Sequence, residues 1–159
     1  VLDETSLNGY DSLYKVSPPL RTAADVKALR KALKDGVIDA VCSTHVPQDG
    51  DAKRVELEYA AYGMIGLETV FPLLHTHLAK AVPLERLIDA LSVRPRHILG
   101  LPVPYIKEGA DANLTIFHPA AEWKYEKVRS KSRNSPFIGQ TFTGKVAGVV
   151  NKGKIKLND

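Results

Sequence analysis

The chain has 159 residues, of which 44% are apolar and 25% charged, with 11 glycines, 10 prolines and one cysteine. This composition is typical of a soluble globular domain, and the length supports one domain with a buried core. A complete eight-stranded α/β barrel needs roughly 200–250 residues, so the length excludes one. The single Cys42 excludes an internal disulfide framework and indicates a cytoplasmic setting.

Charge and hydropathy exclude several further classes of protein. The net charge of +4 is modest, and the basic residues that gather late in the chain accompany no nucleic-acid-binding motif. No apolar run approaches the ~18 residues of a membrane span, and the first residues do not form a signal peptide. We therefore expect neither a membrane nor a nucleic acid as partner. Because an initiating methionine is missing, we also expect the chain to be part of a longer protein.

The first two regular elements follow an irregular opening. Thr22 and Asp25 are spaced nearly as in a capping box, and apolar residues then recur at helical spacing until Gly36, which is suited to end a helix. The sequence therefore predicts a helix over residues 23–35. Residues 37–43 form a short apolar run directly after it, which predicts a buried parallel strand. This order of elements indicates an α/β fold.

Three helical segments are predicted in the middle of the chain. The first follows Gly66 and contains Pro72, so it should start late or bend there. The second is predicted for residues 83–91, with Pro83 in its first turn, and a short third one for residues 95–99. The central block is therefore predicted to be helical.

The last third of the chain is predicted to form strands rather than helices. A strand is predicted for residues 113–117, and residues 146–151 and 154–157 flank a turn like the two strands of a hairpin. We accordingly predict two parts, a helical and barrel-like part over residues 1–101 and a β-rich tail over residues 102–159.

The pair His75 and His77 resembles the H-x-H element of metal hydrolases, but its predicted setting argues against that role. On a helix, residues two apart point about 200° away from each other, so the two rings cannot hold one ion. We expect one ring in the core and the other in solvent, and no metal site.

His45 follows the predicted strand 37–43, at the edge where α/β barrels carry their catalytic groups. Metal-assisted hydrolysis there needs a carboxylate that binds the ion and accepts the proton of the bound water. Thr44 and Gln48 stand near His45 instead, and neither side chain can serve as that base. Cys42 could be a nucleophile, but nothing in the sequence places it against a histidine, and burial in the strand is favoured.

Six motifs occur in the order seen in the C-terminal part of dihydroorotases, and the chain resembles that family over nearly its whole length. The motifs are Asp11–Arg21, Lys34–Ala40, Ser43–Gln48, Gly63–Thr69, Gly109–Phe117 and Ser130–Phe137. The resemblance implies the amidohydrolase superfamily, which is α/β. The chain would be a C-terminal fragment of the (β/α)8 barrel together with the closing strands of a small β domain.

The family interconverts N-carbamoyl-aspartate and dihydroorotate in pyrimidine biosynthesis, with zinc at the mouth of the barrel. The resemblance places Thr44 at the family's metal-binding aspartate, which is also the general base. Gln48 takes the place of a substrate-holding histidine, and Ser17 that of a substrate-binding asparagine. Backbone groups near Tyr62 and Gly63 correspond to further substrate contacts. The family's other metal ligands lie upstream of this segment, so we expect no intact catalytic residue, no metal ligand and no cofactor in this chain alone.

Two functional hypotheses remain open. In the first, the chain is part of an active dihydroorotase whose zinc site is completed by the upstream segment. In the second, it belongs to a non-catalytic homologue that acts as a scaffold for aspartate transcarbamoylase, which the three replaced site positions favour. In both cases we expect the chain to associate with the upstream part of its parent protein or with itself.

Overall fold

The computed structural model describes residues 1–158, which form helices around one three-stranded sheet. The helices are α1 (Ala23–Lys34), α2 (Val70–Leu78), α3 (Leu84–Ile88) and α4 (Arg94–Ile98), with a π-helical turn at Asp89–Val93 and short 3-10 helices at Glu4–Leu7, Ser12–Tyr14 and Asp51–Lys53. The strands are β1 (Asn113–Lys124), β2 (Thr141–Asn151) and β3 (Lys154–Leu157). Within residues 1–158, no helix has the length and apolar character needed to cross a bilayer.

The capping signals predicted for α1 are present. The Thr22 side chain accepts a hydrogen bond from the Asp25 backbone N–H, and the Asp25 carboxylate accepts one from the Thr22 N–H. After the helix, Gly36 adopts φ +78°, and the Val37 N–H donates to the Ala32 carbonyl at 2.9 Å. The helix over residues 23–35 is therefore confirmed to within one residue.

The buried strand predicted over residues 37–43 is wrong. The segment lies outside any sheet of the described residues, Val37 is 75% exposed, and Cys42 is exposed as well. Only part of it is covered, since Ile38 and Val41 pack against the helices. A parallel strand needs hydrogen-bonded neighbours on its edges. Among residues 1–158, no strand lies beside this segment, so the apolar run has no partner for strand pairing.

The three central helical segments are confirmed. Helix α2 starts at Val70, which puts Pro72 in its first turn, where a missing N–H costs nothing. The second and third predicted segments form one continuous run from α3 to α4 through the π-helical turn. The Arg86 guanidinium in α3 donates to the Leu33 carbonyl at 2.9 Å and also to the Ile38 carbonyl. It therefore fixes the end of α1 and the segment after it against α3.

The sheet is antiparallel, in the order β1-β2-β3. The strand predicted over 113–117 and the hairpin of 146–151 with 154–157 are confirmed, but β1 and β2 are both longer than predicted. Two register shifts interrupt the β1–β2 ladder, one between Ile116 and Phe117 and one between His118 and Glu122. Helix α2 packs against β2, where the Thr76 hydroxyl accepts a hydrogen bond from the Thr143 N–H at 2.9 Å. The division into residues 1–101 and 102–159 stays a prediction.

Two apolar clusters lie on either side of α2. One buries helical residues and the other is aromatic. Their buried members are Leu33, Leu78, Val82, Leu87 and Ala90 in the first cluster, and Tyr125, Phe137 and Phe142 in the second. Leu74 of α2 contacts the first cluster and Leu73 the second, so α2 joins the helices to the sheet.

One ring of the H-x-H pair lies in the core and the other is exposed, as predicted. The His75 ring is buried, stacks on Phe71 with ring centroids 5.6 Å apart, and its Nε2 lies 2.9 Å from the Pro119 carbonyl oxygen. His77 is exposed on the opposite side of α2. The His75 imidazole therefore joins α2 to the sheet, and the His77 imidazole faces solvent.

Tyr125 provides a test of the aromatic cluster. Its side chain is 1% exposed, and its hydroxyl has no hydrogen-bond partner among residues 1–158. Burial, with a smaller contribution from the Glu68 carboxylate, raises the pKa of Tyr125 to about 12. Because the folded pKa exceeds the unfolded value of about 10, stability present below pH 10 should be lost as the pH rises towards 12.

We expect Tyr125→Phe to leave the free energy of unfolding unchanged or to raise it by up to about 1 kcal/mol at pH 7, because it removes an unpaired buried hydroxyl. The variant should also lose less stability than the wild type between pH 10 and 12, in urea unfolding series at each pH. Phe142→Ala is the control for packing and should cost about 3–5 kcal/mol. A large loss at pH 7 in Tyr125→Phe would show that the hydroxyl has a partner.

Candidate functional site

Two segments that carry candidate site residues lie side by side, and we call them the rim segments, residues 43–48 and 61–66. His45 and Met64 form an isolated parallel bridge, in which the Val46 N–H donates to the Met64 carbonyl at 2.9 Å. The structure therefore brings together Thr44, Gln48, Tyr62 and Gly63, the four positions that the resemblance singles out on these segments.

Gly63 is the point of closest approach between the rim segments. It adopts φ +112°, and a Cβ placed on it would lie 2.5 Å from the Cβ of Val46. Both the backbone angle and the missing space require glycine. Its N–H donates to the Lys15 carbonyl at 2.9 Å, and its carbonyl accepts from the Asn134 side chain at 3.2 Å. Gly63 therefore joins three parts of the chain at one residue.

Asn134 holds the two rim segments together from the side of the tail. Its side chain is buried and uses its full hydrogen-bonding capacity. The amide nitrogen donates to the carbonyls of Val46 and Gly63, at 3.0 and 3.2 Å, and the amide oxygen accepts from the Gln48 N–H at 3.2 Å. The Ser132 hydroxyl donates to the same oxygen and lies 3.2 Å from the Gln48 nitrogen.

The segment 129–134 is itself anchored by Glu68. The carboxylate of Glu68 accepts from the backbone N–H groups of Arg129 and Ser130 at 3.0–3.1 Å. Sequence reasoning did not single out Asn134 or Glu68, although both belong to motifs that carried the resemblance. An asparagine within the motif Ser130–Phe137 is the signal that could have found the first, whereas its burial is visible only in the structure.

Ser17 lies on a third segment, next to the rim. Lys15, two residues before it, places its carbonyl on Gly63 and its ammonium 4.7 Å from the centroid of the Tyr62 ring. Ser17 is exposed, and among residues 1–158 its side chain forms no hydrogen bond to the rim segments. Its position therefore brings it near the site without a direct contact.

Thr44 can act neither as base nor as an anionic ligand. It is exposed and adopts φ +46°, in the left-handed region. Its neighbour His45 accepts at Nδ1 from the Gly66 N–H at 3.0 Å, so that lone pair is occupied by a backbone bond. Among residues 1–158, no three His, Cys, Asp or Glu side chains are placed to hold a metal ion. The donors that surround Thr44 therefore do not fit zinc without groups from elsewhere.

The groups that could bind a ligand are largely paired within the chain. The Gln48 side chain donates to the Tyr62 carbonyl at 2.8 Å, and both backbone groups of Gly63 are hydrogen-bonded. A ligand at this place would have to displace the Gln48 amide or use groups on its exposed side. Thr44, Gln48, Tyr62 and Gly63 therefore lie on an ordered frame whose hydrogen bonds are made within the chain.

Gly63 gives a direct test of the close approach, with Gly36 as its matched control. Both have positive φ, but a Cβ on Gly36 would meet no atom within 4 Å. Gly36→Ala should cost roughly 1–2 kcal/mol of backbone strain. Gly63→Ala adds the clash with Val46 and should cost about 3–5 kcal/mol. Urea unfolding of both variants would measure this, and equal losses would show that the rim segments are not in contact.

Comparisons with known proteins find similarity along nearly the whole chain. Residues 14–156 match the model of the amidohydrolase family. A dihydroorotase of Geotalea daltonii is 43% identical over 157 residues, which are 97% of this chain and 37% of that protein. A dihydroorotase of Carboxydothermus hydrogenoformans is 45% identical over 149 residues, 91% of this chain and 35% of that protein.

Among solved structures, L-hydantoinase (dihydropyrimidinase) from Arthrobacter aurescens superposes with a TM-score of 0.86 at 25% identity, covering 99% of this chain and 38% of that one. The resemblance to dihydroorotases that the motifs indicated is confirmed by these relatives. The chain spans little more than a third of the length of each protein that it matches.

Proposed function

The chain belongs to the amidohydrolase family, and we propose that it forms the C-terminal rim of a dihydroorotase-like protein. In this proposal the residues of this chain supply no catalytic acid, base or metal ligand. The proposal places it as the last part of a (β/α)8 barrel with the closing strands of a small β domain. Two relatives named dihydroorotase that cover more than nine-tenths of the chain support this assignment. The substrate class would be N-carbamoyl-aspartate and dihydroorotate.

The hydroxyl of Thr44 is the observation on which the proposed absence of catalytic residues depends. The resemblance requires an ionised carboxylate at this position, both to bind a metal and to take a proton from water. A threonine hydroxyl does neither near neutral pH, and general-base catalysis alone is worth about 10²–10⁴-fold in rate. The Nδ1 lone pair of His45 accepts from the Gly66 N–H, so this imidazole does not supply the missing base.

For a protein without turnover, we propose a role in assembly as the second candidate function. It is favoured by the hydrogen bond that turns the Gln48 side chain onto the Tyr62 carbonyl, because a substrate would compete with this contact. Ser17, Thr44 and Gln48 all differ from the residues that the family uses. In this reading the protein would act as a scaffold, with aspartate transcarbamoylase as the partner, and a cytoplasmic location stays a prediction.

Turnover by the intact protein that carries this chain tests the proposal. We expect no cyclisation of N-carbamoyl-aspartate above the uncatalysed rate and no stoichiometric zinc in the 159-residue chain after dialysis. The double variant Thr44→Asp, Gln48→His restores the carboxylate and the imidazole and should gain measurable turnover. Thr44→Asn with Gln48→His is the matched control, because it has the same size without the ionisable acid.

Two outcomes would contradict the proposal. Wild-type turnover of about 1 s⁻¹ or more, in the ordinary range of enzymes, would show that another group replaces the carboxylate. One tightly held zinc per 159-residue chain would show that the donors near Thr44 do form a metal site.

The exposed apolar surface leads to a prediction about association. Residues 37–44 pair with no strand among residues 1–158, and Val37, Leu99 and Ile106 are 75%, 70% and 88% exposed. Proteins normally cover such edges and patches. We propose that the upstream part of the parent protein, or a second copy of the chain, covers this surface.

The 159-residue chain should therefore sediment as a dimer or larger species at micromolar concentration. Val37→Lys should shift it towards the monomer, because a charge would be buried on association. Tyr10→Lys is the matched control, since Tyr10 is exposed to a similar degree, 76%, but lies outside the unpaired segment. A wild-type chain that sediments as a monomer would contradict the prediction.

A further inference from the structure

Lys53 is a buried cation that the proposed site does not use. Its residue is 6% exposed, and among residues 1–158 its ammonium forms no ion pair with a carboxylate. It donates instead to backbone carbonyls, to Ala61 at 2.7 Å, to Ser12 at 2.8 Å and to Lys15 at 3.4 Å. An ammonium group has three N–H donors, so these carbonyls use all of them.

Keeping this charge away from water is costly. Burial lowers the pKa of Lys53, the nearby Lys15 ammonium lowers it further, and the Asp11 carboxylate raises it in part. An apolar side chain of similar length would avoid the cost of desolvation, but it would remove the donor of the Ala61 carbonyl and the second donor of the Ser12 and Lys15 carbonyls. The side chain therefore acts through the backbone groups that it binds.

Those backbone groups belong to two segments that carry candidate site residues. Ala61 directly precedes Tyr62 and Gly63, and Ser12 and Lys15 precede Ser17. The Lys15 carbonyl, at the edge of the ammonium's reach, is also the acceptor of the Gly63 N–H. The Lys53 carbonyl in turn accepts from the Ser12 hydroxyl, so the lysine is fixed at both ends.

We propose that Lys53 is a positioning residue, which holds the segment 12–17 and the rim segment 61–66 in register, and with them the stretch of Tyr62 and Gly63 at which the resemblance implies substrate contacts. This proposal depends on the proposed function only where it assigns substrate contacts to Tyr62 and Gly63. The ordering of the two segments by Lys53 follows from the hydrogen bonds alone.

Amide hydrogen exchange of the 159-residue chain tests the ordering. Lys53→Met keeps the length and apolar stem but removes the donors. It should speed exchange at least about tenfold in peptides covering residues 12–17 and 59–64, the effect expected when hydrogen bonds from a charged donor are lost. Peptides covering β1 should be unchanged. Lys27→Met, at an exposed position of α1, is the matched control and should change neither region.

Conservative replacement separates donation from packing. Lys53→Arg, which keeps the charge and several donors, should restore most of the protection, and Lys53→Gln, with two neutral donors, should fall between Arg and Met. If Lys53→Met unfolds the whole chain, the comparison of Gln with the wild type decides the matter. Unchanged exchange at residues 59–64 in Met or Gln would overturn the proposal, as would equal exchange in Arg and Met.

The ligand side is tested in the intact protein with Thr44→Asp and Gln48→His in place. There, adding Lys53→Met should raise KM for N-carbamoyl-aspartate about tenfold and change kcat less, the signature of lost ground-state binding. A fall in kcat at constant KM would overturn the positioning role. If this background does not turn over, the proposed function fails at that point, and the exchange experiment still decides what Lys53 orders.

Discussion

The close approach at Gly63 is the constraint on which the site depends. Because Gly63 has no side chain, the rim segments can approach until their backbones share a hydrogen bond. Any larger residue at this position would clash with Val46. Asn134 can then bond to both segments with one side chain, and the Lys15 carbonyl can reach the Gly63 N–H. A larger residue at this point would separate the segments, and each of these bonds would lengthen or break. The site is therefore built from backbone geometry first and from side chains second.

The frame does not depend on the side chains that we propose as departures from the family pattern. The hydrogen bonds of the frame begin and end within the protein, so they stabilise the fold whether or not a ligand is bound. The reactive groups of the family would stand on the frame as exposed side chains. Thr44 and Ser17 are exposed and Gln48 is partly exposed, so changing them costs little stability. The frame and the chemistry are thus separable in this protein.

Local signals allowed much of the fold to be predicted. The capping pair of Thr22 and Asp25, the position of Pro72 and the turn between β2 and β3 act within a few residues, and each was interpreted correctly. The strand predicted over residues 37–43 failed because strand formation depends on a neighbour, which sequence pattern does not reveal. The family motifs placed Thr44, Gln48, Tyr62 and Gly63 together, but Lys53 was missed. A lysine in a charged loop indicates solvent exposure, and only the carbonyls gathered around it show otherwise.

The distribution of departures from the family pattern follows from these energetics. The buried frame residues Gly63 and Asn134 lie within motifs that match, and replacing either would break contacts between segments far apart in sequence. The family's aspartate and histidine positions lie where solvent accepts any polar side chain. A folded domain is stable by only about 5–15 kcal/mol, so loss of one frame residue consumes a large share of that margin. Under the proposal of a non-catalytic protein, selection for folding alone would therefore retain Gly63 and Asn134 while it tolerates changes at positions 44 and 48.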